Sequence, residues 1–174
     1  MMKNKKKLFL LSLVQFILLL SLLGSIMYFK QTAKSFNIES MSIDPVEPLF
    51  GHYAQLSYEF DHITDKAWKG KSSPKENQTA FIVFKKGSNE LYKFDYATDT
   101  RPKQKHSRYI KAEIQYIYNY KEDGSVELVI KHNLDQFYIP EKQMDKFNQP
   151  NQHYIVTLLQ KNDRTIVKSI KMLK

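Results

Sequence analysis

Residues 52–60 read HYAQLSYEF, and their alternation of apolar and polar side chains decides the fold class. The apolar side chains take every second position: Ala54, Leu56, Tyr58 and Phe60. Because successive side chains of a β-strand point to opposite faces, this pattern predicts a strand with one face in a core and one in water. Gly51 comes just before the strand, where a turn or bulge favours glycine.

The rest of the chain contains further strand-like segments. Further strands are predicted at 79–86, 91–96, 108–121, 126–132, 153–160 and 165–173. In 108–121 the alternation places a second apolar set in the core: Ile110, Ala112, Ile114, Tyr116, Tyr118 and Tyr120. Pro140 suits the first turn of a short helix that ends before Pro150. The prediction is a mainly β domain, either a small antiparallel β-sandwich or a partly open β-barrel, with one short helix.

An uncharged, strongly apolar segment at residues 8–29 precedes this domain. A helix of roughly 22 residues is about 33 Å long, which is enough to span the hydrocarbon core of a bilayer. The apolar part of a cleavable signal peptide is shorter, and no good cleavage site follows it, so we expect a single-pass signal-anchor.

The charges that flank this segment predict its orientation. Four lysines precede it, and the residues after it mix Lys30 and Lys34 with acidic side chains. The positive-inside rule therefore predicts a cytoplasmic N-terminus at 1–7, a transmembrane helix at 8–29, an irregular tether at 30–44 and an extracytoplasmic β-rich domain at 45–174. The predicted location is the cell membrane.

The chain of 174 residues has 27 Lys and Arg against 18 Asp and Glu, a formal net charge of +9. A modest positive charge keeps a domain soluble, and it also attracts anionic lipid or wall polymer. The densest basic group is a candidate for that contact: Arg101, Lys103, Lys105, His106 and Arg108. We do not expect nucleic acid as a partner of an exported domain.

The segment IDPVEPLFGHYAQLSYEF at 43–60 resembles the signature of the bacterial GDYXXLXY family of small membrane-anchored proteins. The matching positions are Gly51, Tyr53, Leu56 and Tyr58, and Glu59 follows them. The segment FYIPEKQ at 137–143 resembles a later part of the same family. The resemblance implies an extracytoplasmic domain on one helix that works beside a multi-spanning membrane protein, and it implies no reaction.

His52 stands where the family signature has Asp. If that Asp binds a cation or takes part in chemistry, this chain has lost or altered the activity. If it caps a turn, His is a tolerable replacement. The opening stretch is thus a candidate partner surface: Gly51, His52, Tyr53, Leu56, Tyr58 and Glu59.

Few side chains point to chemistry. The chain has no cysteine, which excludes thiolate metal sites and a cysteine nucleophile, and no two of its five histidines have the spacing of a ligand pair. Ser40 with Lys85 is a poor serine–lysine pair, because Lys85 lies beside a turn where water keeps it charged. We predict no catalytic residue, no metal and no cofactor.

The predicted function is that of a binding or accessory module of the bacterial cell envelope, without enzymatic activity. Tyr53 lies on the face opposite Leu56, where it either covers a second layer or meets a partner. The alternative is an envelope hydrolase with a site near Glu59, Asp61 and His62, where Asp65 could help to hold a cation.

Overall fold

The computed structural model describes residues 2–42, 53–103, 108–119, 125–140, 142 and 152–173. The chain divides into two compact units, Met1–Lys34 and Ser35–Lys174. The first unit is a single helix and the second is a β-rich domain, so the predicted fold class is confirmed.

Helix α1 extends over Met2–Thr32. Within it, Lys5–Thr32 is a candidate membrane span of 28 residues; its most apolar window has a mean hydropathy of 2.4, and none of that window is buried. This helix is long and apolar enough to cross a membrane. It extends beyond the predicted 8–29 at both ends.

The described part of the second unit contains ten strands. They are β1 Lys34–Ser42, β2 Tyr53–Ser57, β3 His62–Thr64, β4 Thr79–Lys86, β5 Leu91–Thr98, β6 Arg108–Asn119, β7 Val126–Lys131, β8 Gln136–Tyr138, β9 His153–Lys161 and β10 Arg164–Met172. Their order in the sheet is β10-β9-β1-β5-β4-β6-β7-β3, and β2 joins β1 to β8. The sheet curls into a half-barrel.

The inner face of the half-barrel forms the main core. Its aliphatic centre is almost fully buried and is drawn from six strands: Ile38, Leu56, Ile82, Ile110, Leu128 and Leu158. Aromatic rings extend it, with Phe60 packed edge-on against Phe84 at a centroid distance of 5.4 Å. A smaller apolar cluster of Phe81, Val83 and Tyr109 is separate from this core.

The predicted tether is wrong over its described residues, 30–42, and positions 43 and 44 lie outside the described residues. Helix α1 continues to Thr32, and β1 occupies Lys34–Ser42 in the sheet. Phe36, Ile38 and Ser40 are buried, and Asn37 and Glu39 alternate with them. The polar residues suggested an irregular segment, but Asn37 and Glu39 lie on the face opposite Phe36 and Ile38, as in an alternating strand. The β-rich domain therefore begins near Ser35 and not at 45.

The predicted inward positions of β6 are right only for its first half. Ile110, Ala112 and Ile114 are buried, but Tyr116 is 49% and Tyr118 51% exposed. The pairing of β6 with β7 shifts by one residue between Ile114 and Tyr116. This β-bulge exchanges the two faces of the strand beyond it, because side chains alternate with a period of two. Tyr120 lies outside the described residues.

The remaining predicted elements have a simpler outcome. Strands β4, β5, β7, β9 and β10 lie where the sequence predicted strands. The predicted helix between Pro140 and Pro150 falls outside the described residues except for Pro140 and Lys142. Strands β3 and β8 were not predicted, since three residues are too few to show a period.

Candidate functional site

Strand β2 contains Tyr53 and Leu56 of the motif at 51–59, and Tyr58 and Glu59 follow directly after it. It pairs antiparallel with the end of β1 through Ser42 and Leu56, and with β8 through Tyr53 and Tyr138. Its position between two strands fixes which motif side chains face inward. Gly51 and His52 lie outside the described residues.

Leu56 and Tyr58 face inward and belong to the core, as predicted. Leu56 is 2% and Tyr58 4% exposed. The Tyr58 hydroxyl donates a hydrogen bond of 2.8 Å to the Leu134 carbonyl, and the Leu56 N–H donates one of 2.8 Å to the Asp135 carbonyl. Burial, together with nearby carboxylates, raises the pKa of Tyr58 far above its ordinary value. These two motif positions are therefore architectural.

Asp61 organises the turn that ends β2. Its Oδ2 accepts hydrogen bonds from the Tyr58 N–H at 2.8 Å and from the Ser57 hydroxyl at 3.1 Å. Its Oδ1 lies 2.7 Å from Nε2 of His132, whose side chain is 4% exposed. The Leu134 N–H donates to His132 Nδ1 at 3.1 Å.

These contacts fix the tautomer of His132. Because Nδ1 accepts a hydrogen bond from a backbone N–H, the imidazole hydrogen is on Nε2 and is donated to Asp61. Both ring nitrogens are thus occupied, and the ring packs against Tyr58 and Phe60 at 5.4 and 5.3 Å. This aspartate–histidine pair holds β2 to the segment after β7 and offers no free base to a substrate.

Sequence reasoning did not find this pair. Its members are 71 residues apart. The available signal was the inward position of His132 in the alternation that includes Leu128 and Ile130, where a buried imidazole needs a polar partner.

The three residues of the alternative hydrolase site do not converge. Asp61 is directed to Ser57, Tyr58 and His132, whereas His62 is exposed and its Nδ1 lies 2.7 Å from Glu127 Oε1. Glu59 is exposed. Asp65 does not complete a metal site either. Among the described residues there is no group of three or more His, Asp or Glu that could hold a metal ion.

Ser40 and Lys85 likewise do not pair with each other. The Ser40 side chain is buried and donates to the Ser57 carbonyl at 2.9 Å. The Lys85 ammonium lies 3.1 Å from Asp95. Each group has a structural partner, so neither activates the other.

Tyr53 faces outward and is 44% exposed. Its ring meets that of Tyr138 at 5.8 Å in an edge-to-face arrangement, and Tyr138 is 59% exposed. Gln55 and Gln136 pair directly beside them and are also exposed. We call these four side chains, Tyr53, Gln55, Gln136 and Tyr138, the motif ribbon; its surface is aromatic and uncharged.

Three of the five residues of the predicted basic contact lie in the described part of the chain. Arg101 Nε lies 3.0 Å from the Tyr109 hydroxyl and 3.1 Å from Asp163, and these partners raise the pKa of the guanidinium. Arg108 lies over the Tyr92 ring at 6.0 Å. Lys103 is exposed, and Lys105 and His106 fall outside the described residues. Two of the five candidates thus face other parts of the domain.

The fold and the motif define a β-rich domain that follows one apolar helix. The model of the GDYXXLXY protein family matches residues 15–168, so the chain belongs to that family. No curated protein and no solved structure matches it. The structure gives the family motif a physical meaning, because its Leu and its second Tyr are core residues and its first Tyr is at the surface.

Proposed function

We propose that this protein is a single-pass membrane protein whose β-rich domain lies outside the cell and acts as a binding or accessory module, without catalysing a reaction. Its partner is a multi-spanning membrane protein of the bacterial envelope. The observation that supports this most directly is the motif ribbon, where Tyr53 of the family motif exposes its aromatic ring at the surface.

The helix supports the membrane part of the proposal. Its uncharged part, residues 8–29, is preceded by four lysines and is followed closely by two, Lys30 and Lys34. By the positive-inside rule, the N-terminal lysines stay in the cytoplasm and the β-rich domain is exported.

The motif ribbon supports the binding part. Tyrosine is enriched where proteins meet, because its ring supplies a large contact area with little loss of conformational freedom. Tyr53 and Tyr138 present such rings side by side, on a ribbon that has no charge to be desolvated on contact. The buried partners of Tyr58 and Asp61 hold the ribbon in place.

The orientation can be tested by cysteine labelling, since the chain has no cysteine of its own. We expect a membrane-impermeant maleimide to label K103C on intact cells, and to label K5C only after the cells are lysed. The reverse pattern, or release of the chain trimmed near residue 33 into the medium, would contradict the proposed topology.

The interaction can be tested with two matched pairs of tyrosines. Y53S/Y138S changes the motif ribbon, and Y116S/Y118S changes another exposed pair with similar exposure and a ring distance of 6.3 Å. We expect the first variant, solubilised in detergent as the full chain, to lose a co-purifying multi-spanning protein that the second retains. Equal recovery with both variants would contradict the role of the ribbon.

A further inference from the structure

A cleft of about 370 Å³ opens in the half-barrel where β1 separates from β5. The two strands run parallel and pair at Asn37 with Leu91 and at Ile38 with Tyr92. Further along, Met41 and Ser42 of β1 pair with β2 instead. The change of partner leaves space between β1 and β5, which we call the β1–β5 cleft.

The floor of the β1–β5 cleft is aromatic. Phe60 and Phe84 line it from the core, and Phe94 and Tyr92 line it from β5. Phe60 and Phe84 are buried and pack edge-to-face, so this part of the floor is rigid. Phe94 and Tyr92 remain half-buried and keep apolar surface for a ligand.

The rim of the β1–β5 cleft has charges of both signs. Glu39 already has a partner, because its Oε1 lies 2.7 Å from Nδ1 of His153. Glu59, in the turn after β2, and Lys93, on β5, also line the cleft and are exposed. Neither forms an ion pair with any residue that the structure describes.

We propose that the β1–β5 cleft binds a small zwitterion with an aromatic body, of the chemical class of an aromatic amino acid. The ring packs on the phenylalanine floor, the ammonium group meets Glu59 and the carboxylate meets Lys93. A ligand with one charge leaves the other rim charge without a partner, and a neutral ligand leaves both. The volume lies at the low end of the range for small-molecule sites, about 300–1,000 Å³, which favours a ligand of this size.

The test uses fluorine NMR on the full chain in detergent, with three probes of one shape. They are 4-fluorophenylalanine, 4-fluorophenethylamine and 4-fluorophenylacetate, and empty micelles correct for partition into detergent. We expect saturable binding of the zwitterion and binding that is about two- to five-fold weaker for each probe with a single charge, as the loss of one partly exposed ion pair implies.

Two variants test which rim residue binds the ammonium group of the ligand and which binds its carboxylate. E59Q removes the carboxylate and should abolish the preference for the zwitterion over 4-fluorophenylacetate. K93Q removes the ammonium and should abolish the preference for the zwitterion over 4-fluorophenethylamine. E113Q and K111Q change exposed residues of β6 outside the cleft and should bind all three probes as the wild type does.

Several results would overturn the proposal. They are no saturable binding of the zwitterion at millimolar concentration, equal binding of the three probes, or equal effects of the cleft variants and their β6 controls. The outcome is separate from the proposed interaction with a membrane protein, because the motif ribbon remains intact in all four variants.

Discussion

Strands β2 and β6 contain the same alternation of apolar and polar residues, yet they place their tyrosines differently. After β2, Tyr58 remains inside and is 4% exposed. In β6, Tyr116 and Tyr118 continue the inward phase of Ile110 and Ile114 by sequence, but both lie at the surface. The comparison shows that alternation predicts the face of a residue only while the register is unbroken.

The cause of the difference is local to each strand. One extra residue, Gln115, enters β6 at the bulge, and Ile117 then turns toward the core in place of its neighbours. At the end of β2, Asp61 accepts hydrogen bonds from Tyr58 and from Ser57, which holds Tyr58 in the inward position. The bulge thus exchanges the inward and outward faces of β6. At the end of β2, the Asp61 carboxylate keeps Tyr58 on the inward face.

The largest expected effect separates the two tyrosine environments. Tyr58→Ala should lower the free energy of unfolding by about 3–5 kcal/mol, because it leaves a cavity in the core and removes a buried hydrogen bond. Tyr118→Ala should change it by less than about 0.5 kcal/mol. Chemical unfolding of the full chain in detergent, followed by the fluorescence of its single Trp68, measures both. Similar losses would contradict the face assignment.

The next effect concerns Asp61, the hydrogen-bond acceptor that holds Tyr58 in its inward position after β2. Asp61→Ala should cost about 2–3 kcal/mol, since it leaves the Tyr58 N–H and His132 without their charged partner. Glu59→Ala, two residues earlier and exposed, is the matched control and should be nearly neutral. A stable D61A protein that has lost its cellular function would instead support the hydrolase alternative.

A smaller effect tests the bulge in β6. Ile117→Ala should cost about 1–2 kcal/mol, less than the roughly 2–5 kcal/mol of a fully buried isoleucine, because Ile117 is half-buried against the core. Tyr116→Ala, one residue earlier, should have little effect. If Tyr116→Ala were the more damaging change, the uninterrupted alternation would be correct and the bulge would be absent.

The smallest effect concerns the hydroxyl of Tyr58 alone. Tyr58→Phe should cost about 1 kcal/mol near neutral pH, the contribution of one buried hydrogen bond. Burial raises the pKa of this phenol in the folded protein, so its ionisation opposes folding. The stability that depends on the neutral hydroxyl is complete below the pKa of the unfolded chain, about 10, and is lost as the pH rises above it.

Unfolding curves of the wild type and Y58F between neutral and strongly alkaline pH measure this change. We expect the difference in stability between the two proteins to shrink above about pH 10. A difference that grows with pH would mean that Tyr58 is not buried as a neutral phenol.

Much of the β-rich fold could be predicted from particular residues. The alternation at Leu56, Tyr58 and Phe60 placed three core side chains correctly, and Tyr53 was correctly placed on the opposite face. The segment 34–42 was missed because its polar half resembled a linker. Of the candidate site, the motif positions were predicted, while the Asp61–His132 pair and the β1–β5 cleft were not.

Local information accounts for the successes. The apolar helix and most strands follow from residues that are close together in sequence, because the period of side-chain direction is a property of the backbone itself. The chain alone therefore defines the apolar segment, the β-rich class and the inward face of the motif.

Packing between distant segments accounts for the rest. The reversal in β6 depends on how β7 pairs with it, and the state of His132 depends on a carboxylate 71 residues away. The β1–β5 cleft exists because β1 changes its partner from β5 to β2. No local pattern contains these relations, since each arises from the way the whole sheet buries its apolar face and satisfies its polar groups.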